Sequence, residues 1–264
     1  MVAIAPSTIQ KQKQIVTRGF FTTEQEATRN EVAATVYLLV IYGLVLGAML
    51  RILPVVALLP FPILYSRCVL AVHEVMHVRS ARRINPLLRL VAFVQSPLTL
   101  GYAELRDIHL RHHAHLGSNA DPENYLIRAR PLAGFAKSWF AIELDFIDYV
   151  RTRGYKAELA VGHLLRLLLL AGFVLVNLEV WLWYLLITRL AISPSEFFFN
   201  HMLHSEETRK VLPSPPESLI RVGSILIGAD NVHALVYHDT HHDYPRVAAG
   251  KLHVVRDLVT RGED

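Results

Sequence analysis

The chain has 264 residues, enough for one or two domains with a sizeable core. Apolar residues make up 52 % and charged residues only 19 %, a balance that points away from a soluble protein and toward a membrane protein. The net charge of +4 is modest, and the basic residues lie between apolar runs instead of forming stripes with interleaved aromatics, which argues against a nucleic-acid surface. A single cysteine, Cys68, excludes an intrachain disulfide and reads as a small buried hydrophobe inside an apolar run.

Residues 1–31 are polar, with Lys11, Lys13, Arg18, Glu24, Glu26, Arg29 and Asn30. They lack the basic region, apolar core and small-residue cleavage site of a secretory signal, and read as a surface-lying arm. Residues 32–264 read as one membrane domain. Four apolar runs, at residues 32–50, 52–72, 159–178 and 180–199, are each about long enough to cross a roughly 30 Å hydrocarbon core as a helix. Pro54, Pro60 and Pro62 predict a turn or kinked start for the second, Asn177 and Glu179 a very short turn before the fourth, and Ser193–Pro194 a bend or break within it. The stretch from Ile84 to Leu105 is interrupted by Arg89, Gln95 and Pro97 and fits an interfacial or re-entrant piece. Phe135, Trp139, Ile142, Phe146 and Val150 recur at helical spacing, predicting one amphipathic surface helix. Trp181, Trp183 and Tyr184 read as an interface belt. Leu219–Ile227 is a short amphipathic patch, and a polar tail ends the chain.

Basic residues test this topology. Four precede the first run, twelve lie between the second and third, and seven follow residue 200, while the loops on the opposite side offer only Arg51. By the positive-inside rule both termini and the middle region are then cytoplasmic. Arg166 and Arg189 lie inside apolar runs, where they are expected to snorkel or pair. The predicted fold is all-α: a multi-pass membrane protein of about four spans with a cytosolic helical cap.

Ten of the fourteen histidines fall in four places on that cytoplasmic side. These are His73–Glu–Val–Met–His77, His109–Leu–Arg–His112–His113, Asn200–His201–Met–Leu–His204 and His238–Asp–Thr–His241–His242. On a helix, positions i, i+3 and i+4 share a face, so each cluster can present several imidazoles together. Imidazole suits iron, zinc, copper and nickel. The eight imidazoles of the HxxxH and the two HxxHH clusters exceed the roughly four ligands of one zinc, which points to two metals. A rival lies in the first cluster, where His73–Glu74–Val75–Met76–His77 also matches the H-E-x-x-H helix of zinc metalloproteases with Glu74 as general base, although that leaves most clustered histidines unused. His115 and His201 read as positions beside the ligands, and His163, His233 and His253 as structural. Asp121 and Asp239 could orient ligand imidazoles by accepting their second N–H.

The order HxxxH, HxxHH, HxxHH between pairs of spans resembles the integral-membrane fatty acid desaturase and hydroxylase superfamily, over nearly all the chain from residue 32. His112–His–Ala–His–Leu–Gly followed by Asp121–Pro122 also resembles the region after the second box of these enzymes. The resemblance implies a cytosol-facing di-iron centre of two non-haem irons that uses O2 as co-substrate, with electrons from a separate ferredoxin or cytochrome b5 type donor. It assigns His73 and His77 to the first box, His109, His112 and His113 to the second, and His238, His241 and His242 to the third. Asn200 and His204 have the spacing of the further site in related desaturases, where the Asn acts through water. The three-residue gap in the first box favours the acyl-lipid and carotenoid-type branches. The activity so implied is desaturation of a fatty acyl chain, with hydroxylation or ketolation of a lipid or carotenoid as the alternative within the superfamily.

Overall fold

The computed structural model describes residues 18–91, 96–204 and 215–261. Among them the architecture is helical, and the one β-type pairing is an isolated antiparallel bridge between Phe21 and Val247. The chain divides into two compact units, one of residues 30–213 and the other of residues 1–29 with 214–264.

Helix α1 (Glu24–Met49) starts eight residues before the expected span. Thr23 caps it: its Oγ1 accepts from Glu26 N–H at 3.2 Å, and Glu26 Oε2 accepts from Thr23 N–H at 2.8 Å. At its far end Arg51 takes a left-handed backbone (φ 57°) and the amides of Ile52 and Leu53 turn back onto Gly47 O. A short 3-10 turn, Val55–Leu58, precedes α2 (Phe61–Met76), so the prolines act as expected: Pro62 sits in the first turn, where its missing N–H costs nothing. Helix α3 (Pro86–Val91) is short, and α4 (Tyr102–His115) follows. After α5 (Asn124–Ile127) come α6 (Pro131–Ser138) and α7 (Ala141–Arg153). The single amphipathic helix expected across this region is therefore two. Arg189 captures the Trp139 carbonyl at 2.7 Å and takes it out of the helical ladder, and Phe140 leaves helical geometry.

Helices α8 (Ala157–Val176) and α9 (Leu178–Glu196) form a hairpin closed by Asn177, whose Oδ1 caps Val180 N–H at 3.2 Å. Among the described residues, three segments are long and apolar enough to cross a membrane: Glu24–Met49, Val55–Met76 and Ala157–Val176. The fourth expected run forms a helix of 19 residues, but Glu179, Arg189 and Glu196 dilute it. It packs along α2 and α8. Pro194 does not break α9. The helix continues past it and then widens into a π-helical segment, Phe197–Met202.

Three buried clusters lie within the larger unit, one of them formed by Leu100, Ile108, Phe146 and Leu159. Ala34 and Leu38 of α1 meet Cys68, Ala71, Val72 and Val75 of α2, and Phe61, Tyr65 and Tyr184 pack beside Ile41 and Val45. Tyr184 belongs to this core at 1 % exposure, edge-on to Phe61, and is not part of an interface belt. Glu31 pairs with Arg79 and accepts Asn85 N–H at 2.6 Å, tying the segment after α2 to α1.

In the smaller unit, α10 (Glu217–Ile227) has no buried residue and packs on α11 (Ala229–Val236). Helix α12 (His238–Asp243) is short. The expected polar tail is instead α13 (Leu252–Arg261), because Leu252, Val255 and Val259 recur at helical spacing and pack with Ala234, Val247, Phe20 and Phe21.

Candidate metal centre

The first box ends α2. His73 lies in its last turn and His77 is its C-cap, where Val78 and Arg79 N–H fold back on Val75 O. The second box lies on α4, whose start is fixed by Glu104 Oε2 accepting Gly101 N–H at 3.0 Å. Helical spacing turns His109 and His113 toward α2. The rings of His73 and His109 are 4.6 Å apart, those of His77 and His109 4.7 Å, and those of His77 and His113 4.8 Å. His77 Nε2 and His109 Nε2 are 2.9 Å apart. One ring nitrogen from each of His73, His77, His109 and His113 lies within 4.8 Å of every other, so four donors converge on one point.

His112 points elsewhere on α4. It is 3 % exposed and its ring lies 4.8 Å from that of His204. Its Nδ1 faces Asp121 Oδ1 at 3.1 Å and Glu123 Oε2 at 3.3 Å. Asp121 is itself held by Gly117 N–H at 2.8 Å and Glu123 N–H at 2.9 Å. His204 Nδ1 meets Phe199 O at 2.7 Å. Both side chains thus have Nδ1 occupied by an oxygen acceptor, which fixes the tautomer and leaves Nε2 for a ligand role.

The π segment sets the placement of Asn200 and His204. One extra residue per turn rotates the chain after Phe197, and Asn200 Nδ2 donates to Glu196 Oε2 at 2.8 Å. His201, which the sequence placed beside the ligands, is 1 % exposed, stacks on Phe197 and reaches Leu126 O through Nδ1 at 3.0 Å. His115 is exposed, and His163 is clasped between Tyr155 and Pro97 O as a structural residue. Glu123 was missed. Its only signal is its position two residues after Asp121, and nothing in that spacing reveals that the turn folds it back onto His112.

On the smaller unit, α12 carries the third box. His238 Nε2 and His242 Nε2 are 3.2 Å apart, and His241 is fully buried. Asp239 Oδ1 accepts Thr240 N–H at 2.8 Å.

The electrostatics suit a metal. Burial, reinforced by His73, His113 and Arg106, holds His77 well below the ordinary imidazole value. Burial pushes His113 down to about 3, with His73, His112 and His204 adding to the effect. Both rings are therefore neutral, the form that donates a lone pair to a cation. For His112 burial acts downward but is outweighed by Glu123 and Asp121, so its value rises. Burial would raise Asp121, yet its bond to His112 and the two backbone donors hold it low. Neutral nitrogen donors backed by an oriented carboxylate form a donor set that fits a transition metal. Glu74 lies 3.5 Å from His73 Nδ1, so its carboxylate sits against a ligand candidate's ring.

The model of the fatty acid desaturase family matches residues 48–262, from the end of α1 through α13, and includes every box. No curated protein and no solved structure matches the chain. The match takes in most of the chain and the helices that carry the boxes; this protein belongs to the fatty acid desaturase family, and is an oxidoreductase of the desaturase and hydroxylase type.

Proposed function

We propose that the chain is an O2-dependent membrane oxidoreductase with two non-haem irons, which inserts a double bond into a fatty acyl chain of a lipid. The observation that carries this reading is the separation of donors within one unit: His73, His77, His109 and His113 gather at one point, and His112 with His204 at another. Six imidazoles exceed the roughly four that one zinc takes. His238, His241 and His242 are added as ligands on the strength of their box spacing alone, and Asp239 as an orienting carboxylate on its place between them.

Two irons held mainly by neutral nitrogens would supply O2 activation and an oxidant strong enough for an unactivated C–H bond. The chain's own residues supply the rest. Asp121 holds His112 Nδ1–H, which fixes the ring and leaves the lone pair on Nε2. Glu196 takes the Asn200 Nδ2 donation and leaves Oδ1 as the atom that can hold a water. Burial of His77 and His113 keeps them unprotonated without a metal present, so binding there does not compete with protons near neutral pH.

The reading includes a cytoplasmic centre and cytoplasmic termini, from the distribution of Lys and Arg. Electrons come from a separate ferredoxin or cytochrome b5 type protein. Expression in a host followed by mass spectrometry of its lipids and pigments tests the activity. Loss of two hydrogens from an acyl chain, abolished by His112→Ala, is the expected result. Gain of one oxygen would assign hydroxylation instead, and a new ketone would assign ketolation. Bound zinc with peptide cleavage would overturn the reading in favour of the H-E-x-x-H protease.

A further inference from the structure

Helix α6 is anchored by small residues and exposes large ones. Gly134 and Ser138 form its buried face, and a Cβ on Gly134 would lie 3.2 Å from His201 Nδ1. Helical spacing places Leu132, Phe135 and Ala136 on one flank and Lys137 on the opposite flank. Leu132 is 83 % exposed, Phe135 41 %, and Phe140 in the following turn 61 %. Arg130, just before the helix, and Lys137, on that opposite flank with its Nζ donating to Tyr125 O at 3.3 Å, are exposed. Apolar side chains of this size grouped on one flank, with cations at the helix start and on the other flank, mark an interaction site.

The level of this patch is fixed by α9. Arg189 Nη1 donates to Trp139 O at 2.7 Å and to Glu143 Oε2 at 3.0 Å, so the α6–α7 turn is tied to a point seven residues before the end of α9. At about 1.5 Å per residue that is roughly 10 Å before the helix widens into the π segment. On α9 itself, Leu186 and Leu190 are exposed at 44 % and 51 %, on a helix that packs along two membrane-spanning segments. Helix α6 packs on α9, so exposed apolar side chains lie on both members of this helix pair.

We propose that α6 and its turn form an interfacial element seated in the headgroup–acyl boundary of the bilayer. Leu132, Phe135 and Phe140 enter the acyl region, and Arg130 and Lys137 engage anionic headgroups. This assignment is independent of the reaction the metal centre performs. It gives Phe135, which packs edge-on to Phe197 at 5.6 Å, a lipid neighbour.

The test uses the full chain in lipid nanodiscs, with nitroxide labels at Leu132→Cys, Phe140→Cys and, as an exposed reference on α7, Arg151→Cys. Native Cys68 is buried and stays unlabelled. Power saturation with O2 and with a nickel chelate reads depth. The expected result is that labels at 132 and 140 are several-fold less accessible to the chelate than the label at 151, while gaining accessibility to O2. R130E together with K137E should weaken that contrast in anionic discs and leave it unchanged in zwitterionic ones. Chelate accessibility at 132 and 140 equal to that at 151 would overturn the proposal. Loss of accessibility to both reagents would overturn it too, because the patch would then be covered by protein.

Discussion

His112 Nδ1 and Asp121 Oδ1 lie 3.1 Å apart, both buried, with the carboxylate already held by two backbone amides. The ring is thereby oriented before any metal arrives. Asp121→Asn keeps the volume but removes the charge that stabilises the donated proton. Iron affinity at the His112 and His204 side should fall about 10–100-fold, as for other carboxylates behind ligand imidazoles. Iron(II) titration of the variant checks this.

Three rings of the centre contribute to the pH dependence of the metal-free protein. His77 and His113 have depressed values in the fold, whereas in the unfolded chain they take up protons near about pH 6.5. Unfolding then gains protons as pH falls below that value, so stability drops until His113 itself titrates at about 3. His112 acts oppositely. Its value is raised, so its contribution is complete below about pH 6.5 and is lost as pH rises through the folded value. Two depressed rings against one raised ring give the centre a slope that favours about pH 7 over about pH 5, while the buried carboxyls of Glu123 and Asp145, raised by burial, act in the opposite direction. His113→Phe should flatten that slope in thermal unfolding of the metal-free protein in detergent.

Arg189 and Glu143 form a partly buried pair, 15 % and 19 % exposed. Burial would raise the Glu143 carboxyl, but Arg189 overrides it and holds the value low. Arg189→Met leaves that charge without its partner and also frees Trp139 O, for an expected loss of about 3–5 kcal/mol. Adding Glu143→Met should restore much of it, and a double-mutant cycle measured by unfolding gives the coupling.

Much of this architecture was legible because apolar runs and imidazole spacing are local signals. The spans of α1, α2 and α8 follow from run length, and the sharing of faces on α4 from the 3.6-residue period. What escaped the sequence depends on distant partners. The break between α6 and α7 arises because Arg189, 50 residues away, takes the Trp139 carbonyl. The π segment after Pro194 and the turn that brings Glu123 to His112 are likewise set by packing. Tyr184 joins the core because Phe61 and Phe173 surround its ring, which its place beside two tryptophans in sequence does not reveal.

His204 offers a separate check on the division of donors. His204→Ala should lower iron content by about half while leaving the four-histidine cluster loaded. Equal loss from both positions would mean that the donors act as one set.

The most direct measurement is the metal content of the purified chain, loaded anaerobically with iron(II) and analysed against protein concentration. The account predicts about two irons per chain, falling toward one in His109→Ala and in His112→Ala alike. A single tightly bound zinc, unchanged in those variants and dependent only on His73 and His77, would contradict it.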